Sequence, residues 1–148
     1  MSCIKPSVKS EPIIDICEKE AINTSHCKVF EIDLYTVTKE QLDFTAAYEL
    51  TFTRNDTIHG LVAWFDIYFE KLPNKVFFST SPYQKSTHWK QVIFYTDNDI
   101  FVDKGDILKG SLAVRKSNAN FRELDIKMSF HIQNRMSDKH WYQLFKIR

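Results

Sequence analysis

Period-two alternation of apolar and polar residues constrains this chain more than any other feature. Phe44, Ala46, Tyr48, Leu50 and Phe52 alternate with Thr45, Glu49, Thr51 and Thr53. Successive strand side chains point to opposite faces, so this pattern predicts a half-buried β-strand. Leu124, Ile126, Met128, Phe130 and Ile132 repeat it, as do Phe30, Ile32 and Leu34 with Glu31 and Asp33 between them. The stretch from Leu61 to Phe69 is apolar on nearly both phases, which predicts one central strand covered on both faces, with Phe65 buried. Its lone charge, Asp66, is expected to pair with a basic neighbour. Further strands are expected over 76–78, 89–95, 107–114 and 141–147. Turn signals lie at Leu72-Pro73-Asn74, Thr96-Asp97-Asn98, Lys104-Gly105-Asp106 and Ser117-Asn118-Ala119-Asn120. Helical signals are few: a capping box at Thr38-Lys39-Glu40-Gln41, and room for another turn or two between Pro12 and Ile22. Seven or eight short strands with regular turns make an all-β antiparallel barrel or sandwich with one or two short helical turns. At 148 residues it is one domain.

Composition removes several function classes. The three glycines, Gly60, Gly105 and Gly110, are too few for a P-loop or a dinucleotide fingerprint. Cys3, Cys17 and Cys27 fit neither a disulfide framework nor a metal knuckle, which favours a reducing, intracellular compartment. The longest wholly apolar run, Leu61 to Phe65, is far short of the ~18 residues of a membrane span, so no membrane partner is expected. The first six residues lack a signal peptide's apolar core. Pro6 and Pro12 flank an extended stretch expected to be loosely attached. Net charge is +1, but residues 1–70 hold six basic and twelve acidic side chains while residues 71–148 hold fourteen and seven. A nucleic-acid reader in the second half would use Lys85, Lys90, Arg115, Lys116, Arg122 and Arg135. No basic run exceeds two residues, so the favoured reading is that the halves interleave and neutralise each other, with no direct nucleic-acid binding.

The histidines, His26, His59, His88, His131 and His140, stand in no zincin motif, and no Gly-x-Ser-x-Gly elbow exists. His131 is read as solvated, His59 as a strand-start residue, and Trp64 and Trp141 as packing. One segment differs. Phe78-Ser79-Thr80-Ser81-Pro82-Tyr83-Gln84-Lys85-Ser86-Thr87-His88-Trp89-Lys90-Gln91 ends a strand, crosses a polar loop and puts Thr87-His88-Trp89 at the mouth of the next. A histidine and a tryptophan there can offer a proton partner and a stacking face.

This stretch resembles the Thr-His-Trp loop of type I protein arginine methyltransferases, in which a Ser-Thr-x-Pro stretch precedes Thr-His-Trp-Lys-Gln. The resemblance extends to Met1-Ser2-Cys3-Ile4-Lys5 with Glu11-Pro12, to Asp33-Leu34-Tyr35-Thr36-Val37, and to Arg54-Asn55-Asp56. It continues through Gly60-Leu61-Val62-Ala63-Trp64-Phe65-Asp66-Ile67 and Arg122-Glu123-Leu124-Asp125-Ile126, covering residues 1 to about 130. It implies a lead-in segment over 1–27, the end of a dimerisation arm, followed by a β-barrel domain over 28–148. The family's cofactor domain, with its glycine-rich S-adenosylmethionine loop and two catalytic glutamates, has no counterpart here.

By resemblance, the chain is the substrate-side barrel of an enzyme that methylates arginine side chains of proteins in the nucleus and cytoplasm. Thr87 would order the loop, His88 would hold a hydrogen bond to an acidic residue of the cofactor domain, and Trp89 would wall the substrate cation. Alone, the chain is expected to bind no S-adenosylmethionine and to transfer nothing. Its partners would be arginine-containing proteins and a cofactor domain or second subunit. The alternative is a non-catalytic β-barrel interaction module, and a third reading, a nucleic-acid-associated adaptor, has only the basic second half behind it. If the loop exists to meet another domain, Trp89 should be more exposed than Trp64.

Overall fold

The computed structural model describes residues 10–134 and 138–148. Cys3, Arg135 and the stretch Met1-Ser2-Cys3-Ile4-Lys5 lie outside the described residues. Nine strands run through the described residues: β1 (Ile13–Asp15), β2 (Phe44–Thr51), β3 (Asp56–Ala63), β4 (Asp66–Phe69), β5 (Val76–Ser79), β6 (Gln91–Val102), β7 (Ile107–Lys116), β8 (Leu124–Gln133) and β9 (Asp138–Ile147). Every pairing is antiparallel. The sheets have the orders β1-β6-β3, β2-β7-β8-β9 and β4-β5. Their ladders do not close among the described residues, and the result is an all-β barrel-like sandwich.

The four-stranded sheet supplies one wall of the core. Tyr48, Leu108, Ile126, Met128, Phe130, Ile132 and Phe145 are buried, facing Ile58, Phe94, Ile100 and Val102 of the first sheet. The Phe94 and Phe145 rings meet edge to face at 5.0 Å across the sandwich. The Tyr48 ring crosses Gly110 to donate its hydroxyl to the Ser129 carbonyl at 2.8 Å. A Cβ at residue 110 would run into that ring and that carbonyl, so only glycine fits beneath the tyrosine. Burial pushes the Tyr48 phenol well above its ordinary pKa, which keeps it a neutral donor.

Several expectations are corrected. The run Leu61 to Phe69 is two strands: β3 ends at Ala63, and β4 begins at Asp66 in a separate hairpin. The break is chemical. The Phe65 N–H donates to the Thr80 hydroxyl and the Phe65 carbonyl accepts from both that hydroxyl and the Thr80 N–H, all within 3.1 Å, in place of a ladder partner. The hairpin is not covered on both faces, because Phe65, Tyr68 and Phe69 are exposed. Asp66 is exposed too, and makes no ion pair among the described residues. Phe30, Ile32 and Leu34 form no strand; Phe30 is held by stacking on Phe44 at 3.9 Å.

Thr96-Asp97-Asn98 is not a turn but a bulge inside β6. The register jumps from Ile58↔Ile100 to Gly60↔Tyr95, and the Thr96 hydroxyl donates to the Asn98 carbonyl at 3.0 Å. Gly60 belongs there because a Cβ would lie 2.6 Å from the Phe94 carbonyl oxygen. The helical signals give 3-10 turns at Lys19–Ala21 and Glu40–Leu42, the second carrying a Thr38 N–H bond to the Gln41 side chain at 2.9 Å. The lead-in contributes β1, which the sequence did not suggest. Of the stretch between the two early prolines, only Ser10 onward is described, and the Ser10 carbonyl accepts from the Lys146 N–H at 2.8 Å.

Candidate functional site

The segment between β5 and β6 folds into two tight turns. In the first, Ser81 is buried, and its hydroxyl and carbonyl accept from the N–H groups of Tyr83 and Gln84. In the second, Lys90 N–H closes onto the Thr87 carbonyl at 3.3 Å, so Thr87-His88-Trp89-Lys90 is a β-turn and Trp89 stands before the strand instead of in it. Lys90 has φ +56°, the only non-glycine residue in the left-handed region among the described residues. Such a conformation costs about 1–3 kcal/mol and persists only where its surroundings impose it. Here Lys90 Nζ reaches Asp15 Oδ1 at 3.0 Å, and Gln91 immediately pairs with β1.

The turn presents its side chains outward. Trp89 is 58% exposed, whereas Trp64 is half-buried against His26 and Tyr83. The Trp89 ring nevertheless has a fixed seat. It stacks on Phe78 at 5.6 Å and 27° and meets Phe65 edge to face at 6.3 Å. His88 is exposed, its ring perpendicular to Trp89 at 6.3 Å. The Thr87 hydroxyl is buried and finds no hydrogen-bond partner among the described residues. An exposed imidazole, an exposed but seated indole and an unpaired buried hydroxyl thus sit on consecutive residues.

Sequence reasoning missed Phe65 and Phe78, the two rings under Trp89. They lie diagonally across the β4–β5 hairpin, Phe78 opposite Ile67 and Phe65 against Thr80, and their rings meet edge to face at 6.2 Å. Elsewhere, His131 Nε2 lies 2.8 Å from Asp138 Oδ1, where the carboxylate accepts, and its ring is 5.6 Å from that of His140, while His59 pairs with Asp99 at 3.1 Å. No group of three or more potential metal ligands forms among the described residues. No described helix is long and apolar enough to cross a membrane.

Residues 1–135 match the family described as the arginine methyltransferase oligomerization subdomain. The chain belongs to that family. It is 43% identical over 129 residues to protein arginine N-methyltransferase 1 of Schizosaccharomyces pombe, covering 87% of this chain and 38% of that protein. Over all 148 residues it is 38% identical to protein arginine N-methyltransferase 8-B of Danio rerio, of which it spans 35%. The fold matches a chain of the Trypanosoma brucei PRMT1 enzyme-prozyme heterotetrameric complex with AdoHcy, with a TM-score of 0.90 and 27% identity over 93% of this chain and 44% of that one. The fold of Arabidopsis thaliana protein arginine methyltransferase 10 also superposes, with a TM-score of 0.88 over 94% of this chain and 43% of the other. This arginine methyltransferase barrel therefore spans about two fifths of its relatives' length and corresponds to their C-terminal portion.

Proposed function

We propose that the chain is the substrate-side barrel of a protein arginine methyltransferase, with the Thr87–Lys90 turn forming one wall of the arginine pocket. The observation that carries this is the seat of Trp89: an exposed indole held at fixed tilt by Phe78 and Phe65 beside an exposed His88. Its free face can receive a guanidinium, with a cation–π attraction of about 0.5–2 kcal/mol. His88 offers a ring nitrogen to a carboxylate of another domain. The substrates are arginine-containing proteins. The free thiols of Cys17 and Cys27 suit a reducing, intracellular setting such as nucleus and cytoplasm.

S-adenosylmethionine would supply an electrophilic sulfonium methyl group to the full enzyme. The residues here do not fit it. Gly60 and Gly110 are consumed by close packing and Gly105 by the β6–β7 turn at φ +92°, so no glycine remains for a cofactor cradle. We therefore assign no transfer step to this chain's own residues; it orients the guanidinium and excludes water from one side.

The test is methylation of an arginine peptide by the chain alone and by the polypeptide extended with the N-terminal part its relatives carry. The chain alone should be inactive and give no saturable heat with S-adenosylmethionine. Trp89→Ala should lower turnover of the extended enzyme at least tenfold without unfolding it. Tight stoichiometric cofactor binding by the chain alone would refute the proposal. A second reading, a non-catalytic interaction module, draws on the exposed Tyr68 and Phe77 pair of the β4–β5 hairpin, and would be favoured if the extended polypeptide transferred no methyl group.

A further inference from the structure

Gln91 is 3% exposed, and both ends of its carboxamide are used. Its Oε1 accepts from the Cys17 N–H at 2.7 Å, and its Nε2 donates to the Thr80 carbonyl at 2.7 Å. One side chain thereby joins three stretches of chain: the lead-in just after β1, the end of β5, and the residue that follows the Thr87–Lys90 turn. Thr80 in turn holds both backbone groups of Phe65, one of the rings against Trp89. Beside it, the left-handed Lys90 is tethered to Asp15 of β1. The turn thus has no freedom at its C-terminal end unless the lead-in moves with it.

We propose that Gln91 is a positioning residue whose carboxamide locks the Thr87–Lys90 turn to the lead-in segment, fixing where His88 and Trp89 stand. This rests on the reading of that turn as the arginine-pocket wall. A bridging carboxamide is suited to the task because it is neutral and supplies one donor and one acceptor at opposite corners of a plane. Apolar side chains of similar length fill the space but satisfy neither Cys17 N–H nor Thr80 carbonyl, and buried unpaired backbone groups are driven to rearrange. The lock makes the pocket wall answer to the lead-in and its strand β1.

The experiment uses the 148-residue chain and nuclear magnetic resonance of its tryptophan indole and Lys90 amide signals, assigned by single Trp→Phe replacements. Gln91→Met should shift the Trp89 indole and Lys90 amide signals, leave the Trp141 indole in place, and speed Cys17 amide exchange at least tenfold. Gln91→Glu supplies a readout that a merely structural role would not move. At neutral pH its carboxylate faces the Thr80 carbonyl and the signals should shift. On acidification the protonated acid can donate to Thr80 and accept from Cys17, and the wild-type positions should return. If Gln91→Met does not fold, Asp15→Asn cuts the second tether alone and should move the Lys90 amide by itself. Unmoved Trp89 and Lys90 signals in the folded variants, or no recovery of Gln91→Glu in acid, would overturn the lock. Moved signals together with an extended enzyme indifferent to Trp89→Ala would uphold the lock and refute the pocket wall.

Discussion

The four-stranded sheet and the β4–β5 hairpin with its adjoining turn are built from the same residue types and treat them oppositely. In the sheet, Phe130 and Phe145 are 1% and 2% exposed; in the hairpin region, Phe65 and Phe77 are 42% and 49% exposed. Both regions are antiparallel and both are rich in aromatic residues. The difference is that β8 has a strand on each side and a second sheet beneath it, while β4 and β5 have only each other. A two-stranded ribbon cannot bury two faces. Its aromatic rings pack on one another, Tyr68 on Phe77 at 4.7 Å and Phe78 beneath Trp89, leaving an apolar surface beside the turn. The sheet makes the fold; the ribbon makes a surface.

The sharpest way to break that contrast is a matched pair of truncations. Phe130→Ala removes a ring stacked on Trp141 at 4.8 Å in the core and should cost about 3–5 kcal/mol in chemical denaturation. Phe65→Ala removes a ring already near half exposed and should cost about 1 kcal/mol. Equal losses would mean that the hairpin is as much core as the sheet, and the division would fall.

The same contrast marks what was legible in the sequence. Alternation revealed β2 and β8 because their apolar phase faces inward, buried over most of β8 and half-buried around Tyr48 in β2. It misplaced the Leu61 to Phe69 run because β3 and β4 share one phase, and nothing in the pattern shows that Thr80 takes over the backbone of Phe65. It also invented a strand at Phe30 to Leu34, where alternating residues lie along the surface without a ladder. The Thr96 to Asn98 signal was a true local departure from the strand, absorbed as a bulge because Gly60 lets the partner backbone approach. The loop that carries Thr87 to Trp89 was legible from its residues as a connection between strands, but a role for it was read mainly from the family resemblance. Of its supports, Asp15 is distant in sequence, while Phe78 and Gln91 lie nearby but carry no pattern that marks what they hold.

A second test sharpens the comparison through acid. The hydrogen bond from Lys90, then the Ile16 N–H and the Lys90 charge, hold the Asp15 carboxyl below the usual carboxylate range. Its folded pKa lies below its unfolded one, so its contribution is complete above about pH 4 and fades as pH falls through the lower folded value. Asp15→Asn should remove that part of the acid dependence. Asp56, lowered by the Thr57 N–H and then Arg54 on the other side of the fold, should keep its own. Melting followed from neutral to acid pH should show the variant losing less than wild type. Identical profiles would mean that the tether between β1 and the turn contributes nothing.

The smallest expected effect is the most telling about the turn. His88 is exposed and its one described ring contact is the edge-on approach to Trp89 at 6.3 Å. His88→Ala should therefore change the chain's stability by no more than about 0.5 kcal/mol, as at other surface positions without a special role. Phe78 should keep Trp89 seated, so tryptophan fluorescence should also hold. In the extended enzyme the same variant should lower methylation while its melting stays put. That pairing, silence in the barrel and loss in the enzyme, is what a residue aimed at another domain would produce. A large loss of stability in the chain alone would make His88 a supporting member of the fold, and the turn would then belong with the sheet's side of the comparison.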